Sequence, residues 1–330
     1  MNMLTDRYGR SIRYLRVSLT DRCDFRCVYC MSEKMRFTHR SKLLDFDELE
    51  RIIRIMAGLG VRKVRLTGGE PLLRRGLTDF CHRLTQIEGI TERVLTTNGS
   101  HLAFLADDLV RAGIQRINIS LDSLQPERFR QISRFGNLDD VLEGIEAACR
   151  AGFERIKLNT VILRGVNEDE VLSLLDFALE KKFDISFIEE MPLGEVGRNR
   201  PSEYYSSDWI EALIRSHYRC SQPQTGSATD GPSRLLTLDA APDIRVGLIS
   251  PHSHNFCAQC NRVRLTAEGR LLLCLGHEDS LDLRALLRAG SSDEEIESAL
   301  LAQMDLKPER HQFAPDESVS IVRFMNMTGG

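Results

Sequence analysis

The sequence predicts an α/β fold: a partial (β/α)6 TIM-type barrel over residues 12–190, followed by an α+β extension over residues 191–330. Three observations carry this. Between Tyr14 and Glu190, short β-rich runs alternate with amphipathic helical runs at a period of roughly 30 residues, the mark of βαβ units and a parallel sheet. On those strands, polar and cationic residues share one face while Val, Ile and Leu take the other. After Glu190 the rhythm gives way to Pro- and Gly-containing turns, Met191-Pro192-Leu193-Gly194 and Arg200-Pro201.

Taken in order, the strands are Tyr14–Leu19, Lys63–Thr67, Arg93–Thr97, Arg116–Leu121, Arg155–Val161 and Asp184–Glu189. The first helix, Asp47–Leu59, has Asp45 as its cap with Glu48 three residues on. Leu49, Ile52, Ile53 and Met56 recur at helical spacing, and Gly60 ends the run. Leu102–Ala112, Leu138–Ala151 and Asp169–Lys181 repeat the pattern. Arg16 with Ser18, Arg65 with Thr67, Asn118 with Ser120 and Lys157 with Asn159 each share a strand face. A closed eight-stranded barrel fills its lumen with branched apolar side chains, so this polar, cationic face implies a cavity that holds solvent or an anionic ligand. The competing reading is an open doubly wound sheet with an irregular solvated set.

The extension begins with a helix near Asp208–His217, then a polar stretch, Ser221–Ser233, that reads as a loop or flexible insertion. Leu235–Leu238 and Ile244–Ile249 read as short strands, and Leu281–Ala289 and Asp293–Gln303 as helices. This is an extension and not a seventh and eighth βα repeat.

Composition narrows the function class. With 42% hydrophobic and 28% charged residues, the 330-residue chain lies outside the disordered range. Its 44 basic and 48 acidic residues, net charge −4, argue against a nucleic-acid or membrane footprint over the whole molecule. No apolar run reaches a membrane span of about 20 residues, and Met1–Arg7 lacks a signal-peptide core, so a cytoplasmic location is expected. Nine cysteines, odd in number and clustered, favour metal or redox chemistry over a disulfide framework.

Six of those cysteines fall into two triads. Cys23-x3-Cys27-x2-Cys30 follows the first strand directly, where α/β folds place active sites. Three thiolates on one [4Fe–4S] cluster leave an iron open for another ligand, while a zinc knuckle with a distant fourth ligand shares the Cys-x2-Cys spacing. The second triad, Cys257-x2-Cys260-x13-Cys274, encloses Asn261-Arg262-Val263-Arg264, whose arginines suit phosphate or a purine edge. Here His277 offers a Cys3His zinc alternative. After the second strand, Thr67-Gly68-Gly69-Glu70-Pro71 lets backbone approach a ligand closely, and Glu70 could accept from an ammonium group.

Together with Tyr29 and the polar strand Asn118-Ile119-Ser120-Leu121-Asp122, the first triad and the Gly-Gly-Glu-Pro turn resemble the radical S-adenosylmethionine superfamily. The runs Leu15–Cys23 and Phe256–Thr266 and the Gly329-Gly330 end narrow the resemblance. They match the branch that turns GTP into (8S)-3′,8-cyclo-7,8-dihydroguanosine 5′-triphosphate, the first step of molybdenum cofactor (molybdopterin) biosynthesis. The match covers about Ile12 to Gly330 apart from the polar stretch near Ser221–Ser233.

The resemblance implies two [4Fe–4S] clusters, on Cys23, Cys27 and Cys30 and on Cys257, Cys260 and Cys274, the second in the extension. It implies S-adenosylmethionine contacts at Tyr29, Gly69, Glu70, Ser120 and Met191. GTP contacts would lie at Arg16, Arg65, Thr96, Lys157, Arg262, Val263 and Arg264, with Arg262, Arg264, Gly329 and Gly330 in catalytic roles. In that branch a 5′-deoxyadenosyl radical takes hydrogen from C3′ of GTP, and C3′ attacks C8 of guanine. A reductant such as flavodoxin or ferredoxin, hand-off to cyclic pyranopterin monophosphate synthase and a homodimer are implied as well. His277 is expected not to ligate, since a fourth protein ligand would close the iron the substrate needs.

The remaining residues take plainer readings. Cys81 and Cys149 are expected as small buried hydrophobes, with Cys220 bordering the polar loop. His101, His217 and His311 are expected at the surface, and Trp209 packed on a helix of the extension. The alternatives are a peptide-modifying radical S-adenosylmethionine enzyme with an auxiliary cluster, and a zinc- or cluster-binding scaffold or electron carrier.

Overall fold

The computed structural model describes residues 3–198, 204–221, 224–225, 233–311, 313 and 321–329. All six strands expected from the sequence form: β1 (Tyr14–Ser18), β2 (Lys63–Thr67), β3 (Glu92–Thr97), β4 (Arg116–Ser120), β5 (Arg155–Ile162) and β6 (Asp184–Glu189). They pair in parallel in chain order. Between them lie α1 (Phe46–Gly58), α2 (Leu77–Leu84), α3 (Leu102–Arg111), α4 (Pro126–Ser133), α5 (Leu138–Ala151) and α6 (Val171–Lys181). The cap of α1 is a full capping box, with Asp45 accepting from Glu48 N and Glu48 accepting from Asp45 N, each at 2.8 Å. Asp169 and Glu170, expected in the first turn of α6, belong instead to a 3-10 turn, Glu168–Glu170.

The extension brings β7 (Gln224–Thr225), β8 (Arg234–Leu238), β9 (Ala241–Ile249), β10 (Arg262–Leu265), β11 (Arg270–Leu272) and β12 (Ser280–Asp282). Helices α7 (Ser207–His217), α8 (Leu283–Arg288), α9 (Asp293–Met304) and α10 (Met325–Thr328) belong to it too. One sheet results, in the order β12-β11-β10-β1-β2-β3-β4-β5-β6-β9-β8-β7. The six-strand sheet therefore does not stop where the repeat stops. β10 lies parallel to β1 and β9 parallel to β6, so the extension supplies a parallel strand at each edge, and antiparallel β11 and β8 then flank these.

Alternation along the strands sets the two faces. Leu15, Val17, Val64, Leu66, Ile117 and Leu158 are fully buried on the helix side, while the opposite face turns Arg16, Arg65, Asn118 and Lys157 toward a cavity.

Several local expectations need correction. Within Ser221–Ser233, Gln224–Thr225 pairs antiparallel with β8; residues 222–223 and 226–232 lie outside those described. The first residues of the expected Leu281–Ala289 helix belong to β12, with the helix proper at Leu283–Arg288. Trp209 is 67% exposed because α7 turns Ile210 and Ile214 inward instead. Cys149 is exposed because α5 buries Ile145, Ala147 and Ala148, whereas Cys81 is buried as expected.

Close backbone approach explains the glycine pair after β2. Gly69 N donates to Thr20 O at 2.6 Å and Glu70 N to Arg22 O at 2.7 Å, which clamps this turn against the start of the first cysteine loop. A Cβ on Gly69 would stand 2.3 Å from Arg22 O, and one on Gly68 would stand 2.4 Å from Thr20 O. Gly69→Ala should therefore lower the unfolding free energy by about 1–3 kcal/mol through overpacking against rigid backbone. Gly58→Ala, at the end of α1 with open space around it, should leave stability unchanged or raise it by up to about 1 kcal/mol. Urea unfolding of both variants checks the contrast.

Candidate functional site

The inner face of the sheet lines one cavity, and β1 with β10 gives it direction. Parallel pairing sets Tyr14 opposite Arg262 and Arg16 opposite Arg264, so Cys260, just before β10, lies level with the start of β1. Antiparallel pairing of Arg264 with Leu272 carries Cys274 back to that same end. Cys23 follows the other end of β1. The two triads thus lie beyond opposite ends of β1, whose own length is roughly 13 Å at about 3.3 Å per residue. All six cysteines line the cavity.

The first loop is held from several sides. Arg26 N and Val28 N donate to Ser133 O and Ile132 O at 2.9 Å each, and Asp24 accepts from Asn98 Nδ2 (2.7 Å) and Ser100 Oγ (2.6 Å). Tyr29 Oη donates to Asp122 Oδ2 at 2.7 Å, and Met325 N at the start of α10 donates to Cys30 O at 3.2 Å. Burial pushes the Cys23 and Cys27 thiols well up and Cys30 up to about 12, with neighbouring acids and thiols adding to it. Such thiols keep their protons unless a metal centre displaces them.

In the second triad, Cys257 opens a 3-10 turn and Cys260 N donates back to Cys257 O at 3.1 Å. Burial raises the Cys257 and Cys274 thiols, whereas at Cys260 burial is overcome by Lys307, Arg262 and Arg10, which draw it down to about 7. His277 Nε2 sits 3.1 Å from Arg310 O. The six thiols are free of disulfides, and three soft donors in each group suit an iron–sulfur cluster. Among the described residues, no three His, Cys, Asp or Glu side chains converge on a single-ion site.

Between the triads lies a cationic band. Arg264, Arg16 and Arg65 occupy one register row on β10, β1 and β2. Arg65 Nε donates to Tyr14 Oη at 2.5 Å and its Nη1 to Thr96 Oγ1 at 2.8 Å. Arg264 Nη1 donates to Gly329 O at 2.5 Å. Arg262 sits over the Phe256 ring at 4.8 Å, and Val263, Ser120 and Met191 also line the wall. Burial, reinforced by Arg65, lowers Lys157 to about 7; burial and neighbouring arginines lower Arg16 to about 10 and also lower Arg264 well below its ordinary value. Burial would raise Tyr14, but Arg65, Arg16, Lys63 and Arg262 reverse this and hold it at about 7.

Two expected residues stand differently. Glu70 does not line the cavity. Fully buried, its carboxylate accepts from Leu72 N (3.0 Å), Thr97 Oγ1 (2.7 Å) and Asn98 N (2.7 Å), so it braces the turn and leaves the ligand-facing role to the glycine backbone. His311 is not a surface residue: it lines the cavity beside Phe313, with ring centroids 4.6 Å apart, and burial lowers it to about 4. His101 Nε2 lies 3.3 Å from Asp24 Oδ2, and Gly330 lies outside the described residues. Sequence reasoning missed Tyr14 and Lys63, both cavity-lining, although each sits two residues before an arginine that it had placed on the inner face.

Known proteins resemble this chain over its full length. A family profile described as the radical SAM superfamily matches residues 17–178, and one described as Molybdenum Cofactor Synthesis C matches residues 183–313. A protein of Pseudomonas aeruginosa strain PAO1 named GTP 3′,8-cyclase 1 is 55% identical over 328 residues, covering 98% of each chain. The GTP 3′,8-cyclase of Pseudomonas syringae pv. syringae strain B728a is 52% identical over 330 residues, covering 99% of each. Among solved structures, Streptococcus suis SuiB bound to S-adenosylmethionine matches with a TM-score of 0.63 at 14% identity, covering 97% of this chain and 78% of that one, a likeness of fold.

The cation band predicts pH-dependent anion binding. A polyphosphate raises the Lys157 pKa from its depressed value near 7 and does the same for Tyr14, so binding takes up protons above pH 7 and weakens as pH rises. Inorganic tripolyphosphate affinity should fall by up to about tenfold per pH unit for each proton taken up. Calorimetric titrations between pH 7 and 9 should show this slope, and Lys157→Met should flatten it while weakening binding.

Proposed function

The chain belongs to the GTP 3′,8-cyclase family of the radical S-adenosylmethionine superfamily, and on that premise we propose how its cavity converts GTP into (8S)-3′,8-cyclo-7,8-dihydroguanosine 5′-triphosphate, the first step of molybdenum cofactor biosynthesis. The observation that carries the reading is the placement of two cysteine triads at opposite ends of β1 with three arginines in register between them. A nucleoside triphosphate laid along that line has its ribose between the two metal sites.

Cys23, Cys27 and Cys30 would hold one [4Fe–4S] cluster, and Cys257, Cys260 and Cys274 a second. Tyr29, the Gly69 backbone, Ser120 and Met191 would hold S-adenosylmethionine, a reading supported by their sharing the cavity wall with the first triad. When bound there, the cofactors would supply the radical that takes hydrogen from C3′ of GTP; addition of C3′ to C8 would then leave an unpaired electron at N7, which one electron from the reductant and one proton would quench.

The protein's own part is binding and orientation. Arg16, Arg65 and Lys157 neutralise the triphosphate, with Thr96 fixing the Arg65 fork. Arg262, Val263 and Arg264 flank the base and ribose, and the Gly329 carbonyl on Arg264 sets that guanidinium's direction. Holding the sugar at hydrogen-transfer distance converts binding energy into rate. On this reading residues 12–190 generate the radical and residues 191–330 complete the substrate site.

No helix among the described residues is long and apolar enough to cross a membrane. We place the enzyme in the cytoplasm as a homodimer, fed by a reductant such as flavodoxin or ferredoxin and passing its product to cyclic pyranopterin monophosphate synthase.

GTP deuterated at C3′ should pass its deuterium to 5′-deoxyadenosine in a single turnover. Deuterium arriving only from another ribose carbon would sink the assignment, and no transfer from any GTP position would favour a peptide substrate. Anaerobic reconstitution should approach about eight irons per chain. Replacing Cys257, Cys260 and Cys274 together by Ser should remove about half of that iron while leaving reductive cleavage of S-adenosylmethionine detectable. Iron analysis with 5′-deoxyadenosine assay decides it.

A further inference from the structure

Lys307 follows α9 and is 1% exposed, one of the largest fully buried side chains of the molecule. Its Nζ donates to Leu273 O and, at 3.1 Å, to Arg262 O. Leu273 directly precedes Cys274, and Arg262 lies two residues after Cys260. One ammonium therefore ties together the two segments that present these cysteines. Among the described residues, no carboxylate forms an ion pair with it.

A buried ammonium facing only neutral carbonyls is costly, and it persists where negative charge stands close by. The groups able to supply that charge are the thiols these two segments carry, Cys260 and Cys274, both on the cavity wall. Other cations stand at this end, but none of them bonds both cysteine segments: Arg264 donates to Gly329 O and Arg323 to His277 O. Arg10 donates to Cys257 O at 2.7 Å but is itself paired with Asp6 at 2.5 Å, and Arg262 lies over Phe256 on the cavity wall.

We propose that Lys307 is a positioning residue whose fixed positive charge underlies the second [4Fe–4S] cluster, holding its cysteine segments together and favouring its reduced state. The inference rests on the second-cluster reading above. Three thiolates on an oxidised [4Fe–4S]2+ core carry one net negative charge, and one-electron reduction adds another. A neighbouring cation therefore stabilises the reduced form more than the oxidised one.

The test uses the full chain with Cys23, Cys27 and Cys30 replaced by Ser, reconstituted anaerobically, so that only the second cluster titrates. Iron content and a redox titration followed by electron paramagnetic resonance are read for Lys307, Lys307→Arg and Lys307→Gln. With Gln, the reduced-to-oxidised ratio at a fixed potential should fall about tenfold, equivalent to about 59 mV for one electron, while Arg should stay close to Lys. Loss of the cluster in Lys307→Gln with retention in Lys307→Arg also supports the proposal, because charge then decides assembly. An unmoved ratio at full iron content in Lys307→Gln overturns it, and so does equal cluster loss in both variants, which would assign the residue a role of shape. Zinc or no iron on the parent's second triad would overturn the cluster reading and this inference with it, an outcome visible before either variant is made.

Discussion

Three arginines abreast on neighbouring strands are an unfavourable arrangement, and much of this molecule is organised around tolerating it. Arg264, Arg16 and Arg65 share one row on strands about 4.8 Å apart, where like charges directly opposite repel. They stay there because the other face leaves no choice. Leu15 with Val263 and Val64, and Val17 with Leu265 and Leu66, are buried to within 1%. A one-residue slip in β1 would put those side chains into the cavity and the arginines into the core. Apolar packing thus enforces a concentration of positive charge that an anionic ligand relieves.

The polar groups around that row read as partial compensation. Tyr14 and Thr96 accept from Arg65, and the Gly329 carbonyl accepts from Arg264. None of these acceptors is a carboxylate, so the cavity keeps its positive potential. The carboxylates on or near the cavity wall have partners of their own: Glu92 holds Lys63 and Arg116, Glu70 the turn after β2, Asp122 the Tyr29 hydroxyl, Glu189 Ser207 and Ser253, and Glu190 Arg198. The same separation of roles appears at the cysteines, whose mostly raised thiols are suited to a bound metal centre rather than to acting alone as nucleophiles.

The parts of this design carried by local pattern were legible in the sequence. Strand alternation identified the inner face through Arg16, Arg65 and Lys157, and the capping box of α1 was readable from Asp45 and Glu48 alone. What was not legible depends on distant partners. Nothing near Arg262 or Ile249 says that β10 will lie against β1 or β9 against β6, because the βα rhythm that signals parallel pairing ends at Glu190. Glu70 looked ligand-facing because its neighbours Gly68 and Gly69 are; its actual partners, Thr97 and Asn98, come from the next strand. His311 and Lys307 lie after the last long helix, where no periodicity reports burial.

The pairing of β1 with β10 also constrains how the chain reaches this fold. β1 is made before β10, one of its two neighbours, which lies about 250 residues downstream, a long loop to close before that pairing is rewarded. Until β10 arrives, one edge of β1 keeps its ladder groups unpaired beside an apolar face, the kind of surface that invites association with other chains. The six-strand core can assemble from near-neighbour contacts, but the cation row and the second metal end exist only after the late strand docks. Newly made protein should therefore pass through a stage that is folded, lacks the complete cavity and is prone to self-association.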